Sequence, residues 1–227
     1  MTMSHDREAM TTKALFAPGH TMAARLLDDT TYPWEALSGI RALIEALGAG
    51  LSAEEYDSPR PGVWIHRTAT VAPTAFIGDA VIIGAGTEVR HGAFIRGSAL
   101  VGEGAVVGNS TELKNVILFD RVQVPHYNYV GDSILGFKSH MGAGSITSNV
   151  KSDKTLVTVN CGGDRVETGL KKFGAILGDE VEVGCGSVLN PGSVVGGHTQ
   201  IYPLSMVRGF IPCESIYKKQ GEVVEKR

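Results

Sequence analysis

The segment IHRTAT-VAPTAF-IGDAVI-IGAGTE-VRHGAF-IRGSAL-VGEGAV-VGNSTE-L, residues 65–113, starts every hexad with a branched apolar residue. These residues are Ile65, Val71, Ile77, Ile83, Val89, Ile95, Val101, Val107 and Leu113. A period of six fits neither the period of about 3.6 of an α-helix nor the simple alternation of a strand. It is typical of very short strands joined by tight turns, where the apolar residue points inward and a small residue permits the bend. The segment therefore predicts an all-β fold, a parallel β-helix of stacked hexads.

A second run of hexads follows, and a less regular stretch joins the two runs. The second run is Leu177, Val183, Leu189, Val195, Ile201 and Val207. In the joining stretch, the steps from Leu113 to Leu118 and from Val130 to Leu135 are five residues long. Departures from regularity concentrate at functional sites, and HYNYVGD, residues 126–132, adjoins the second short step. We predict that this step sets the angle of the corner that presents His126.

Composition describes an ordinary globular chain. It has 227 residues, 43% of them apolar, and a formal net charge of -3, so no basic excess indicates nucleic acid. Cys161, Cys185 and Cys213 fit neither a zinc pattern nor a disulfide framework, and we expect no metal. No signal core and no apolar run of about eighteen residues occur, so we expect a cytoplasmic protein that does not contact a membrane.

Three segments lie outside the regular repeat of residues 65–210. Residues 1–64 include a helical stretch, Pro33 to Gly48, that we expect to start at Thr30 or Thr31 and to cap the first coil. Residues 149–175 contain TLVTVNCGGDRVETG, which reads as a hairpin around Gly162-Gly163. We expect this hairpin to reach a neighbour or to cover a cleft. Residues 211–227 form a C-terminal tail, either helix or arm.

Three motifs resemble a known family. They are GNSTELK (108–114), HYNYVGD (126–132) and GAGSITSN (142–149). Together they are similar to the acetyltransferase domain of the bifunctional bacterial N-acetylglucosamine-1-phosphate uridyltransferase/glucosamine-1-phosphate acetyltransferase. The hairpin and the HYNYVGD motif resemble still more closely the archaeal sugar-1-phosphate nucleotidylyltransferases that carry the same C-terminal domain. The resemblance covers roughly Ile65 to Val207.

The resemblance implies a left-handed parallel β-helix, a homotrimer with active sites between subunits, and acetyl-CoA as co-substrate. The expected reaction is N-acetylation of an amino-sugar 1-phosphate. The family's nucleotide-binding half, with its glycine-rich loop, has no counterpart in residues 1–64. We therefore expect the chain to lack nucleotidyltransferase activity.

The resemblance also assigns roles to particular residues. His126 matches the general base, a role that suits a side chain titrating near neutral pH. Arg96, Lys114 and Tyr129 match residues that hold the sugar phosphate. At six residues per face and three faces per coil, the eighteen-residue spacing stacks Lys114 one coil above Arg96 as a phosphate clamp.

Further matches concern the sugar and the coenzyme. Asn149 matches an amide near the reacting amine, and Lys154 roughly matches a lysine delivered by the neighbouring subunit. The pantetheine-contacting positions are Ala143, Cys185 and Pro203, where Cys185 replaces the usual serine.

Two departures concern the identity of the sugar. His140 replaces a sugar-binding asparagine and Val150 replaces a tyrosine, so the acceptor is glucosamine 1-phosphate, galactosamine 1-phosphate or another amino sugar.

Two alternatives remain at this point. A γ-type carbonic anhydrase needs a pair of histidines five residues apart, and the chain has none. A non-catalytic module that binds sugar phosphates or assembles nucleotidyltransferases would need Arg96 and Lys114 but neither His126 nor a coenzyme groove.

Overall fold

A computed structural model describes residues 5–226. The helices are α1 (His5–Ala9), α2 (Thr12–Leu15), α3 (Ala24–Asp28), a 3₁₀ helix (Pro33–Ser38) and α4 (Ile40–Gly48). The first strands are β1 (Tyr56–Arg60), β2 (Val63–His66), β3 (Thr70–Val71), β4 (Phe76–Ile83), β5 (Glu88–Val89), β6 (Phe94–Val101), β7 (Val106–Asn109), β8 (Glu112–Leu118), β9 (Gln123–His126), β10 (Tyr129–Leu135), β11 (His140–Met141) and β12 (Ile146–Thr147). The remaining strands are β13 (Thr158–Cys161), β14 (Asp164–Glu167), β15 (Ala175–Leu177), β16 (Glu182–Val183), β17 (Val188–Leu189), β18 (Ser193–Val195), β19 (Gln200–Ile201), β20 (Met206–Val207), β21 (Phe210–Ile211), β22 (Ser215–Lys219) and β23 (Glu222–Glu225).

These strands wind into a left-handed parallel β-helix with three faces. The long strands β4, β6, β8 and β10 each bend at a corner and contribute to two faces. The two faces continue separately as β12-β17-β20 and β15-β18-β21, while the third face runs from β3 to β22. Parallel pairing joins equivalent residues of consecutive coils, such as Val63 with Val81 and Val81 with Ala99. The predicted fold class is confirmed.

Most corners are turned by a residue with positive φ. The first corner is formed by Gly62, Ala80, Ser98, Asn115, Asp132, Gly192 and Gly209; the second by Gly86, Gly104, Arg121, Lys138, Glu180, His198 and Glu214; the third by Gly92, Ser110, Tyr127, Gly144, Gly186 and Leu204. A left-handed conformation costs a non-glycine residue about 1–2 kcal/mol. Hydrogen bonds from corner amides to the preceding coil offset this cost, as in Arg121 N–H to Glu103 O at 2.7 Å.

The residues that start the hexads form the core. From Ile83 onward they are buried, including the irregular stretch from Leu118 to Thr147. Val71 and Ile77 are only half-buried because no complete coil lies beneath them. Removing branched apolar side chains from water on all three faces is the main favourable term in the stability of such a coil.

The two short steps lie at the first corner, which corrects our assignment of the second step to the His126 corner. Ile95 pairs with Leu113, but Gly97 pairs with Lys114, so Arg96 has no opposite residue. The third corner, which follows His126, keeps its full length. The shortened steps therefore determine how Lys114 meets the next coil.

The helices of the N-terminal segment lie along the side of the coils rather than over the first coil, which corrects our expectation that the helical stretch caps the end. Helix α4 packs on β4, β6 and β8, and the 3₁₀ helix packs on β10. Ion pairing of Arg41 with Asp79 (2.6 Å) anchors one end. The other end is fixed by Asp179, whose carboxylate accepts from Ala17 N–H at 2.7 Å. An apolar helix face that spans several coils buries more surface there than on one coil end.

The start of the helical stretch also differs from the sequence expectation. The Glu35 carboxylate accepts hydrogen bonds from the N–H groups of Thr31 (2.9 Å) and Tyr32 (3.2 Å). A side chain inside the first turn therefore caps the 3₁₀ helix, with Pro33 at its first position, instead of a threonine hydroxyl.

Both ends of the coil are closed by antiparallel strands. β1 pairs with β2 at one end, and β23 pairs with β22 at the other. β22 itself pairs in parallel with β19, so the coil continues beyond residue 210 into the predicted tail. The hexad pattern did not predict this coil, because stacked residues there are 16 positions apart instead of the 18 of three hexads, as for Thr199 and Ser215. Antiparallel terminal strands occupy edges that would otherwise pair with other chains.

The predicted hairpin is formed by β13 and β14, with Gly162 and Gly163 in the turn at φ of 53° and 87°. Both positive values are those that a two-residue turn between antiparallel strands requires. Residues on either side of the insertion still pair, as in Ile134 with Ile176. The hairpin packs against the coil of the same chain at two glycines. A Cβ atom on Gly192 would lie 2.8 Å from Thr158 O, and a Cβ atom on Gly209 would lie 2.5 Å from Asn160 O.

Within residues 5–226, none of the helices has the length and apolar character needed to cross a membrane.

Gly209→Ala tests this docking contact. The substitution adds the cost of positive φ (+70°) and a clash with Asn160 O. We expect a loss in the free energy of unfolding of about 2–4 kcal/mol, together with proteolytic cleavage in the hairpin. Gly144→Ala is the matched control, because Gly144 has the same φ of +70° but nothing within 4 Å of its Cβ position. Equal losses in urea unfolding for the two variants would contradict the docking contact.

Candidate functional site

His126 ends β9 and stands just before the third corner. Its backbone carbonyl accepts a hydrogen bond from Gly144 N–H on the next coil (3.0 Å). Its backbone N–H donates to the side chain of Asn128 (3.0 Å). The imidazole is exposed and makes no hydrogen bond to another residue of the described chain. The ring is therefore open to solvent and to a ligand.

Asn128 fixes the backbone of this corner and was not singled out from the sequence. Its side chain is buried, and its Nδ2 donates to Gly142 O (2.9 Å) and Ser145 O (3.1 Å) on the next coil. A buried amide with all these bonds satisfied holds the corner in one conformation. The asparagine in HYNYVGD is thus structural.

The three residues expected to contact pantetheine occupy equivalent positions at the third corner. Gly186 N–H donates to Ala143 O (2.8 Å), and Leu204 N–H donates to Cys185 O (2.9 Å). Pro203 precedes Leu204, as Ala143 precedes Gly144, so His126, Ala143, Cys185 and Pro203 stack on four consecutive coils. The last three are exposed. Coil spacing of about 4.8 Å gives this column a length of about 14 Å.

Asp132 joins several predicted sugar-phosphate residues. Its side chain is 5% exposed and accepts hydrogen bonds from Lys114 Nζ at 2.8 and 3.0 Å. It also accepts from Asn115 Nδ2 (3.0 Å) and Asn149 Nδ2 (2.5 Å). Asn149 Nδ2 donates in addition to the Tyr129 hydroxyl at 3.3 Å. Lys114, Tyr129 and Asn149 are therefore brought together, as predicted, around a carboxylate that the sequence analysis missed.

Two signals in the sequence point to Asp132. It closes the HYNYVGD motif, and it is a carboxylate one coil beyond a lysine at the shortened step. Its φ of 47° is a left-handed conformation that aspartate and asparagine adopt more readily than most residues.

Arg96 does not stack as a free cation one coil below Lys114, as the sequence predicted. It lies in the bulge between β6 and β8, where its guanidinium binds Glu112 at 2.9 Å. Tyr129 is close to both carboxylates: burial raises the pKa of its hydroxyl, and the charges of Asp132 and Glu112 raise it further. The hydroxyl therefore stays protonated at neutral pH and can donate a hydrogen bond.

The remaining predicted residues lie elsewhere on the subunit. His140 Nδ1 is 2.8 Å from Glu182 Oε2, in a pocket of about 290 Å³ that also contains Cys185 and Pro203. His140 thus adjoins the column of Ala143 and not the Asp132 cluster. Lys154 is exposed before the hairpin, and Val150 lines a cleft beneath the hairpin. Three or more possible metal-ligating side chains do not converge anywhere in residues 5–226.

The three faces, the hexad core and the corner column define the class of hexapeptide-repeat, left-handed β-helix proteins. Residues 87–213, more than half of the chain, match the family model of the GMPPB C-terminal domain, and the chain belongs to this family. The resemblance inferred from the three sequence motifs is confirmed.

Two curated relatives match about half of the chain. The Bifunctional protein GlmU of Methanococcus vannielii is 39% identical over 119 residues, which is 52% of this chain and 28% of that protein. The Bifunctional sugar-1-phosphate nucleotidylyltransferase/acetyltransferase of Sulfurisphaera tokodaii is 32% identical over 109 residues, 48% of this chain and 27% of that protein. The chain thus matches less than a third of the length of either relative.

One solved structure, a hexapeptide transferase family protein from Anaplasma phagocytophilum, aligns at 18% identity with a TM-score of 0.42. The alignment covers 73% of this chain and 79% of that one.

Asp132→Asn tests the cluster. Asparagine tolerates the same backbone conformation, so the substitution removes the charge that holds Lys114 and turns one acceptor oxygen into a donor that faces the NH2 group of Asn115 or Asn149. We expect a loss in the free energy of unfolding of about 1–3 kcal/mol. Asp79→Asn is the control, since Asp79 also adjoins the first corner and pairs with Arg41, but its side chain is 63% exposed. Exposed pairs contribute about 1 kcal/mol or less. Equal losses in urea unfolding would show that Asp132 has no special role.

Proposed function

We propose that the chain transfers the acetyl group of acetyl-CoA to the nitrogen of an amino-sugar 1-phosphate. The observation that carries this proposal is the stacking of His126 with Ala143, Cys185 and Pro203 on four coils. A ligand arm that lies along these exposed positions ends beside an imidazole. The names of the relatives support acetyl transfer and sugar phosphates as the chemistry.

The coenzyme groove would use backbone groups. The backbone N–H groups of Ala143 and Cys185 donate no hydrogen bond to any acceptor in residues 5–226, so both are available to a ligand. An extended arm with amide groups, such as pantetheine, can bind these donors as a strand binds a sheet edge. Cysteine in place of serine at position 185 does not alter a backbone donor.

The reaction needs one general base. The amine nitrogen attacks the thioester carbonyl carbon, a C–N bond forms, and the proton lost from nitrogen passes to His126. The C–S bond then breaks, and the coenzyme leaves as a thiol after His126 returns the proton to sulfur. An imidazole nitrogen can accept a proton and give it back, so one side chain serves both transfers.

The Asp132 cluster would hold the acceptor. Lys114 and Arg96 supply positive charge for the phosphate, and the Tyr129 hydroxyl can donate to it. Asn149, already hydrogen-bonded to Tyr129 and Asp132, would contact the sugar near its amine. Glucosamine and galactosamine 1-phosphates both fit this chemistry. We assign a role in choosing between them to His140, which lies beside the coenzyme column and not in the Asp132 cluster, and which would act where the sugar approaches the acetyl group.

We further propose that the working form is a homotrimer, with Lys154 contributed to the site of a neighbour. Leu204 and Tyr127 lie at the third corner with 85% and 66% exposure and positive φ. Bulky side chains that are this exposed on a folded chain indicate a surface that another chain covers. That chain would form the second wall of the coenzyme groove.

A second candidate is a non-catalytic module that binds sugar phosphates. The observation that favours it is that the imidazole of His126 makes no hydrogen bond to another residue of the described chain, so no side chain there orients it as a base.

His126→Ala separates the two functions. Loss of a general base lowers the rate about 10²–10⁴-fold, while the melting temperature and the affinity for acetyl-CoA stay nearly unchanged. His91→Ala is the matched control, because His91 is exposed just before Gly92 of the third corner, two coils below. Release of coenzyme A thiol is measured with both hexosamine 1-phosphates. Near-full activity of His126→Ala, or no thiol release by the wild type, would leave only the binding module.

Lys114→Ala belongs to the same experiment. It should mainly raise KM for the sugar phosphate, since it removes an interaction common to ground and transition states.

Leu204→Glu tests the trimer. A charge at the centre of an apolar contact disfavours association, so light scattering should give the mass of a trimer for the wild type and of a monomer for the variant. The control is Val223→Glu, which changes another exposed apolar residue outside the corner column. A wild-type monomer at micromolar concentration would refute the trimer and remove one wall of the proposed site.

A further inference from the structure

A polar cleft of about 440 Å³ separates the hairpin from the last coils. Thr158, Asn160 and Arg165 line it from the hairpin, and Asn190 and Arg208 from the coil. The volume is that of a site for a small ligand. Neither the reaction proposed above nor the predicted residues use this cleft, apart from Val150 at its wall.

The charges in the cleft are unbalanced. Its lining contains Lys151, Arg165 and Arg208 but only one carboxylate, that of Asp153. Lys151 lies 3.5 Å from Asp153, so this pair neutralises itself. Across residues 5–226, no ion pair or hydrogen bond engages the guanidinium of Arg165 or Arg208. Two uncompensated arginines therefore face one concave space in a chain whose net charge is -3.

Both arginines are carried by backbone that is held in place. Arg165 pairs across the hairpin with Asn160, whose carbonyl contacts Gly209. Arg208 immediately precedes Gly209 at the first corner. The contact that docks the hairpin thus also fixes the two guanidinium-bearing residues relative to each other, which lowers the entropy cost of binding one anion with both.

The lining selects the kind of ligand. It contains no aromatic side chain on which a base could stack, and its side chains are mostly polar. Arginine forks bind phosphate oxygens in a bidentate manner. We propose that this cleft binds the phosphate of a small phosphorylated molecule.

This site is separate from the Asp132 cluster. Lys114 pairs with Gly131, and the same position on the following coils is held by Ser148, Asn190 and Arg208. Four coil steps of about 4.8 Å place Arg208 about 19 Å beyond Lys114. One phosphate cannot contact both. The cleft therefore does not depend on the proposed acetyl transfer.

Inorganic pyrophosphate is a suitable probe, with binding to the full chain followed by calorimetry and by the melting temperature. We expect Arg165→Gln and Arg208→Gln each to weaken binding about tenfold or more. Arg25→Gln is the matched control, since Arg25 is exposed and unpaired among the described residues. Lys114→Ala reports binding at the Asp132 cluster and should leave the affinity of the cleft for pyrophosphate unchanged. All three arginines are exposed, and unchanged melting temperatures without ligand verify that the variants fold.

The source of the phosphate is distinguished by competition. Displacement of pyrophosphate by glucosamine 1-phosphate indicates a sugar phosphate, whereas displacement by coenzyme A indicates the phosphates of the coenzyme. Either result supports a phosphate site in the cleft, provided that Arg165→Gln and Arg208→Gln both remove the binding that the competitor displaces. Pyrophosphate affinity that is unchanged in both Arg165→Gln and Arg208→Gln, or that Lys114→Ala alone abolishes, would overturn the proposal.

Discussion

Hydrogen bonds between the backbones of consecutive coils hold every other feature of this molecule in register. Most corners contain one residue in a left-handed conformation, and at the second and third corners the amide of this residue donates to the coil below. Side chains at equivalent corner positions are consequently stacked at the spacing of strands in a sheet. This stacking turns positions far apart in the sequence, such as His126 and Pro203, into a line of neighbours.

The first corner combines this constraint with buried charge. Asn115 and Asp132 occupy successive positions at this corner, where both coils are one residue shorter, and Lys114 reaches the carboxylate on the next coil. A buried carboxylate requires several donors to be tolerated, and Asp132 has three of them in Lys114, Asn115 and Asn149. The same bonds orient the groups expected to hold an acceptor, so stability and ligand binding depend on one side chain.

The coil itself was predictable from sequence because branched apolar residues recur every six positions in two runs between Ile65 and Val207. The last coil was not, since the spacing there contracts and Tyr217 replaces a branched residue. The position of the N-terminal segment was also hidden, because the apolar face of α4 fits the side of the coil as well as its end. The candidate site followed from motif resemblance, yet Asp132 and Glu112 were missed. Which cation has a carboxylate partner depends on register, and the bulge at Arg96 changes that register by one residue.

The N-terminal segment joins residues that are very distant along the chain. Most contacts between coils link residues about 16 to 18 positions apart, and those across the hairpin insertion link residues 42 apart. Leu37, in contrast, bonds to Asn115 at a separation of 78, and Ala17 bonds to Asp179 at 162. Stacked coils alone can fray one by one from either end. The N-terminal segment acts as a strap, since it is bonded to an early coil through Leu37 and to a late coil through Ala17. It opposes such fraying, because the loss of either coil also breaks a contact of this strap. The strap is synthesised before the coils that it binds, so it cannot complete its contacts until Asp179 is in position, and closing it belongs to the end of folding.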